Sequence, residues 1–330
     1  MTQRFLVTGG AGFIGSNLVD RLLRDGHTVM VFDNFDPFYE RRWKQANLWQ
    51  AARSARFRLI EGDITEPAAV SVACAESQPD VIIHLAARAG VRPSIDDPVG
   101  YTRVNIEGTL RLLEEARRRP FTRFVFASSS SVYGNRTEGP FRETDRVDDP
   151  ISPYAATKKA AELFCYNYHH LYGLPVTCLR FFTAYGPRNR PDLAIAKFTR
   201  LIDRGEPIPV FGDGTTKRDY TFIDDIVDGI VRASQRCHGF AVYNLGNSKP
   251  VELSRVVDLI GQALGRTARI QRKPMQPGDV QQTYADVSLA GRELGYVPST
   301  GLDDGIRRYI AWYRSAGEWS LRYKPLAQAG

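Results

Sequence analysis

The sequence predicts an α/β protein built on a doubly wound parallel sheet, with a smaller substrate-binding region toward the C-terminus. Three observations carry this expectation. Apolar, β-rich runs alternate with helix-period stretches from Phe5 onward, the first run leads straight into a glycine-rich turn, and the alternation breaks after Phe182.

In order, the expected strands are Phe5 to Gly9, Thr28 to Asp33, Phe57 to Asp63, Val81 to Ala86, Arg123 to Ser129 and Pro175 to Phe182. Six parallel strands make two mononucleotide-binding halves, the Rossmann arrangement, so residues 1–182 are expected to form the dinucleotide-binding domain. Beyond Phe182, closely spaced prolines and glycines (Pro187, Pro191, Gly205, Pro207, Pro209, Gly212, Gly214) interrupt the pattern. We place 183–217 and 243–330 in the smaller domain. Segment 218–242, with the apolar run DYTFIDDIVDGIVRA, is expected to return to the first domain as a strand edge and helix, before VYNLG resumes the second. The final LRYKPLAQAG reads as a loosely held tail.

Composition narrows the class. Apolar residues make up 43% and charged residues 25%, close to an average globular chain, which argues against wholesale disorder or a fibrous protein. No apolar run approaches the roughly 18 residues of a membrane helix, so no membrane span is expected. With a strand expected from residue 5, a cleaved signal peptide is not expected. Four scattered cysteines (Cys74, Cys165, Cys178, Cys237) form no CxxC pair, which fits a reducing cytoplasm and disfavours disulfides or structural zinc. His27, His84, His169, His170 and His238 show no ligand spacing, so they read as core or surface residues and no metal is expected. The formal charge of +7 is spread along the chain, and its longest basic run, Arg117 to Arg119, closes a helix where cations suit the macrodipole. Nucleic-acid binding is therefore not expected, whereas an anionic small substrate suits the surplus.

Two stretches carry chemistry. In TGGAGFIGS, Gly9, Gly12 and Gly15 stand between a strand and an amphipathic helix, with spacing GxxGxxG. Such a turn brings backbone close to a pyrophosphate and presents helix N–H groups to it. Asp33 ends the second strand 18 residues after Gly15, where a carboxylate accepts hydrogen bonds from the adenosine ribose and repels a 2′-phosphate. Asn34 beside it adds no cation, which favours NAD over NADP. The second stretch is SSSSVYG, Ser128 to Gly134, followed by SPYAATKKA. Tyr154 and Lys158 stand four apart on a helical pattern and share one face. A nearby ammonium and a cationic nicotinamide favour the phenolate, so Tyr154 can take a proton from a sugar hydroxyl while Ser129 shares and orients it.

Taken with GDI at 62–64, HLAA at 84–87, Asn105, LRFFTAYGP and KRDYTFIDDI at 217–226, these motifs make nearly the whole chain resemble the extended short-chain dehydrogenases/reductases, specifically the nucleotide-sugar epimerase and dehydratase group. The resemblance implies bound NAD, UDP- or dTDP-sugar substrates, and homodimers formed through helices near 98–119 and 152–172. It implies cofactor contacts at Gly9, Gly12, Phe13, Ile14, Asp33, Asn34, Asp63, Ile64, Leu85, Ala86, Ala87, Tyr154 and Lys158. Within the group, dehydratases place Asp and Glu where this chain has Ser130 and Ser131, decarboxylating UDP-xylose synthases usually carry a Glu in this loop, and many UDP-galactose 4-epimerases have Asn where Thr183 stands. YGPRNRPDLAIAKF, together with FDPFYERRWKQANL, resembles UDP-glucuronate 4-epimerases.

The expected reaction is thus NAD-dependent 4-epimerisation of UDP-glucuronate to UDP-galacturonate through a 4-keto sugar, without decarboxylation. Arg190, Thr183, Ser130 and Ser131 are expected to clamp the carboxylate away from the geometry that expels carbon dioxide. The resemblance also points to Arg218 on the diphosphate, Asp279 near the ribose or base, and Tyr185 shaping the pocket, alongside Ser129 and Tyr154 on the sugar. The alternatives are a UDP-glucose or UDP-N-acetylglucosamine 4-epimerase, a UDP-glucuronate decarboxylase, and a non-catalytic NAD-binding regulator.

Overall fold

The structure, a computed structural model, describes residues 2–136, 138–274 and 280–322. Its principal sheet is parallel and seven-stranded. The strands are β1 (Arg4–Thr8), β2 (Thr28–Asp33), β3 (Phe57–Glu61), β4 (Val81–His84), β5 (Arg123–Ser129), β6 (Val176–Phe181) and, much later in the chain, β10 (Phe240–Leu245). They lie in the order β10-β6-β5-β4-β1-β2-β3. The order reverses between β1 and β4, so the crevice for a ligand opens beyond the C-terminal ends of those two strands.

Strand residues are apolar on both faces because helices cover both. On one face Phe5, Val7, Val31 and Ile83 pack with Leu18, Val19 and Leu22 of α1 (Phe13–Arg24) and Ile226 and Ile230 of α9 (Ile223–Gln235). On the other, Leu6, Phe32, Ile82 and Phe126 meet Val70 and Cys74 of α3 (Pro67–Ser77), Leu112 of α6 (Gly108–Arg117) and Cys165 of α7 (Pro153–Tyr172). Neighbours in sequence thus face opposite layers, the period of two that a strand imposes. Between β2 and β3 lies α2 (Arg41–Asn47). Between β4 and α6 run α4 (Val91–Asp96), α5 (Pro98–Thr102) and one π-helical turn, Arg103–Glu107.

The second region holds β7 (Thr183–Tyr185), α8 (Ala194–Asp203), β8 (Ile208–Phe211), β9 (Lys217–Phe222), β11 (Pro250–Glu252), α10 (Leu253–Leu264), β12 (Ile270–Lys273), β13 (Gln282–Thr283), α11 (Ser288–Leu294) and α12 (Leu302–Arg322). β9 pairs with β7, β11 and β13, and β8 with β12. Two expectations change here. The principal sheet has a seventh strand, because VYNL lies in β10 and pairs with β6 over Phe240 to Leu245 rather than rejoining the second region. Strand β9, expected at the returning edge, instead belongs to the second sheet, and the return runs from α9 through Leu245. An apolar run shows that a strand exists but not which edge it joins. The tail from 323 lies outside the described residues. Among those described, no helix is long and apolar enough to cross a membrane, and all four cysteines are unpaired and buried.

Candidate active site

The glycine turn sits at the sheet's point of reversal. Gly9 has φ +69°, and a Cβ there would meet the Ala86 backbone nitrogen at 2.7 Å. At Gly15 a Cβ would strike the Gly9 carbonyl at 2.3 Å, so this side of α1 lies directly on the turn. The helix starts at Gly12 with no side-chain cap, which leaves the N–H groups of the first turn, including those of Phe13 and Ile14, for an outside acceptor. Asp33 is buried at the end of β2, accepting from the Ala11 N–H (2.9 Å) and the Phe35 N–H (2.8 Å). Burial raises its pKa, and those two N–H groups oppose the rise. One carboxylate thus fixes the turn and borders the crevice.

The neighbouring strand ends complete this wall. Asn34 donates to Asp63 (2.8 Å), whose other oxygen accepts from the Thr65 N–H and hydroxyl. Ile64 is buried against Gly108. Leu85, Ala86 and Ala87 leave β4 beside β1, with Leu85 N–H donating to the Thr8 carbonyl and Ala86 N–H to the Thr8 hydroxyl. A turn that only glycine can occupy, an uncapped helix and a buried strand-end carboxylate fit a dinucleotide.

Across the crevice, Ser129 ends β5 and accepts from the Ser131 N–H at 3.1 Å, starting the short 3-10 turn Ser130–Tyr133. Helix α7 begins where Ser152 caps it and Pro153 occupies its first turn, and it stops at Gly173 with φ +67°. Tyr154, Lys158 and Glu162 recur every four residues and line one face. Burial raises the Tyr154 pKa, opposed first by a hydrogen bond from Ser129 and then by the Arg190 charge. Burial lowers that of Lys158 to about 8, while its ammonium donates to the Ala127 carbonyl at 2.8 Å and lies 4.9 Å from the Phe126 ring centroid. Thus Ser129 meets Tyr154, Lys158 on the same helix is anchored to the end of β5 at Ala127, and the charge of Arg190 reaches Tyr154 from the second region.

Two buried networks that sequence reasoning missed hold this side in place. Glu162 accepts both Arg180 arms (2.9 and 2.8 Å) and the Ser128 hydroxyl (2.6 Å); Arg180 also donates to the Tyr133 hydroxyl (3.0 Å), which donates to Asn244 (2.7 Å). This ties β5, α7, β6 and β10 around the serine turn. In the second, Thr109 donates to the Asn105 carbonyl (2.6 Å), so the His84 Nε2–H must donate to Thr109 (2.9 Å) and His84 Nδ1 must accept from Thr8 (2.7 Å). Burial drives the His84 pKa down to about 3, so the ring is neutral. Asn105 continues the chain to Thr157 (3.0 Å), which donates to the Tyr154 carbonyl (2.8 Å). The only sequence signals were HLAA and a lone Asn; the partners lie up to 76 residues apart.

The second region contributes a cavity of about 290 Å³ bordered by Thr183, Tyr185, Asp192 and Arg218. Ser129 pairs with Phe181 across β5 and β6, so Ser130, Ser131 and Thr183 leave adjacent strand ends. Arg190 donates through Nε (3.0 Å) and Nη2 (2.7 Å) to Asp192, and its guanidinium lies 5.3 Å from the Phe38 ring centroid. Arg218 borders the cavity and donates to the Lys217 carbonyl (2.9 Å). Tyr185 forms a wall and is almost wholly buried, with its hydroxyl against Gly305 and no hydrogen-bond partner among the described residues. Asp279 lies outside the described residues.

The glycine turn, the Tyr-x-x-x-Lys helix beside a strand-end serine, and the cavity in a second region define an extended short-chain dehydrogenase/reductase. The chain belongs to the GDP-mannose 4,6 dehydratase family, whose model matches residues 6–309. It is 40% identical to a probable UDP-glucuronate 4-epimerase of Rhizobium meliloti, over 94% of this chain and 97% of that one. Among solved structures, it resembles the UDP-glucuronic acid 4-epimerase of Bacillus cereus in complex with UDP-glucuronic acid and NAD, with a TM-score of 0.89 and 34% identity over 94% of this chain and 99% of that one. It also resembles the UDP-glucose 4-epimerase of Thermotoga maritima with UDP-glucose, with a TM-score of 0.87 and 32% identity over the same shares.

Proposed function

We propose that the protein is an NAD-dependent UDP-glucuronate 4-epimerase, an isomerase that yields UDP-galacturonate through a 4-keto sugar without loss of carbon dioxide. The observation that carries this reading is Arg190: a second-region cation whose charge reaches Tyr154, beside a serine turn that lacks an acid pair for dehydration. The relatives named above support it.

NAD, when bound, supplies reversible hydride transfer at the sugar's C4. Gly9, Gly12, Phe13 and Ile14 hold its pyrophosphate, with Asp33, Asn34, Asp63, Ile64 and Leu85 to Ala87 lining its remaining contacts. Tyr154 removes the C4 hydroxyl proton and later returns it, and Ser129 orients that hydroxyl. Lys158, charged below about pH 8, favours the phenolate and binds the nicotinamide ribose. The 4-keto uronate has its carboxylate β to a ketone, and it decarboxylates when the C5–C6 bond stands perpendicular to the carbonyl plane. Ser130, Ser131, Thr183 and Arg190 hold the carboxylate out of that geometry while the ring turns over. Arg218 and Asp279 take the nucleotide end, and Tyr185 shapes the wall.

The protein acts as a homodimer through the helices near 98–119 and 152–172, a reading supported by exposed Val99, Leu163 and Tyr166 there. Four unpaired, buried cysteines support a cytoplasmic setting. The deciding experiment incubates the purified protein and NAD with UDP-glucuronate, UDP-glucose and UDP-N-acetylglucosamine and resolves products by NMR. UDP-galacturonate without released carbon dioxide is expected. UDP-xylose, or turnover of the neutral sugars alone, overturns the assignment.

A further inference from the structure

The strongest unassigned feature of the cavity is the carboxylate that already occupies Arg190. Asp192 stands two residues beyond it, across Pro191, and both of its oxygens accept from one edge of the guanidinium, Nε and Nη2. Asp192 borders the cavity and its side chain is 38% exposed, against 18% for Arg190. Arg190 is not among the residues that line the cavity, and its guanidinium lies over the ring of Phe38. An anion in the cavity therefore faces the Asp192 charge, which is paired with Arg190.

A cation only 18% exposed gains from a charged partner when no sugar is present, beyond what water at the cavity supplies. The same partner is a rival once a second carboxylate arrives, since two like charges on one guanidinium repel. We infer that Asp192 competes with the substrate's carboxylate for Arg190 and so limits the preference for uronates over neutral hexoses. The inference rests on the uronate reading above. When the uronate binds, its carboxylate takes over arginine donors from Asp192, which turns to the solvated cavity mouth. On release Asp192 takes them back. The exchange keeps the arginine paired throughout, and it makes uronate affinity weaker than a free arginine would give.

The test compares wild type with Asp192→Asn, a near-isosteric change that removes the rival charge, by titration calorimetry with UDP-glucuronate and UDP-glucose on the NAD-loaded protein and by KM and kcat. The ratio of the two Kd values is expected to shift toward UDP-glucuronate by about fivefold or more, through a lower Kd for the uronate, with KM falling more than kcat changes. Added salt should weaken this shift. Asp192→Ala checks that the asparagine amide is not itself the cause, and it is expected to shift the ratio in the same direction. A raised or unchanged Kd for UDP-glucuronate in both variants, with wild type still epimerising that sugar, overturns the exchange alone and makes Asp192 a support for the arginine. A wild type that turns over UDP-glucose and leaves UDP-glucuronate untouched overturns the substrate reading and the exchange with it.

Discussion

Arg180 and Arg190 each grip a carboxylate through Nε and Nη2, and their surroundings give them different work. Arg180 and Glu162 are each 3% exposed, and Glu162 also accepts from Ser128 while Arg180 donates to Tyr133. Arg190 and Asp192 show similar bond lengths but stand at a cavity, 18% and 38% exposed, two residues apart in one loop. In the first pair every donor replaced would be lost to a dry interior. In the second, water or a ligand can take the vacated place. Geometry alone does not separate a lock from an exchangeable partner; burial and the number of additional bonds do.

The comparison can be broken from several sides, the first of which sets the scale. Tyr154→Phe should lower kcat by roughly 10²–10⁴, with the thermal midpoint nearly unchanged, because the variant removes one proton-transfer group and little packing. A small loss of kcat would move the chemistry away from the helix that the buried pair holds. Next, Glu162→Ala should cost roughly 3–5 kcal/mol in urea unfolding, since it strands a buried guanidinium. If Asp192→Ala costs as much in the same assay, the two pairs are alike and the contrast fails. Arg190→Ala should reduce kcat/KM for UDP-glucuronate by roughly 10–100-fold, with a stability change near that of an exposed pair, about 0–1 kcal/mol. Carbon dioxide should appear among its products, read by trapping; uronate turnover left intact would remove Arg190 from the clamp.

The smallest expected effect concerns a buried group kept neutral rather than paired. His84 has a folded pKa lowered to about 3 against an ordinary value of 6.5. The unfolded chain therefore binds more protons between those values, so this residue's contribution is complete above pH 6.5 and is lost as pH falls below it. Unfolding midpoints measured at pH 7 and pH 5 should show a decline of which roughly 1–2 kcal/mol belongs to His84. In His84→Gln that share of the slope should vanish, although the variant starts less stable. An unchanged slope would mean the ring is protonated in the fold.

How far the architecture was legible follows from the range of each determinant. Strands such as Arg123–Ser129 and the Gly9-to-Gly15 turn are local patterns, and each stands within a residue or two of its expected place. Asp33 was legible because its position at a strand end beside the turn is itself a local feature. The pairing of β10 with β6 was not, since Val176 and Phe240 are partners chosen by the packing of distant segments. Glu162, Arg180 and His84 were opaque for the same reason: a charged or polar residue reads as surface until the fold brings its partner. Asp192 was hidden by proximity to the more conspicuous Arg190.

The late arrival of β10 bears on how the chain is made. A fragment released after Phe182 would leave the β6 edge bare, with Cys178 and Leu179 backbone groups offered to any passing strand, because the segment that closes this edge is synthesised more than fifty residues later. The nascent polypeptide therefore cannot finish its first half before the ribosome has passed Leu245, and shortened versions of the chain should end beyond that residue.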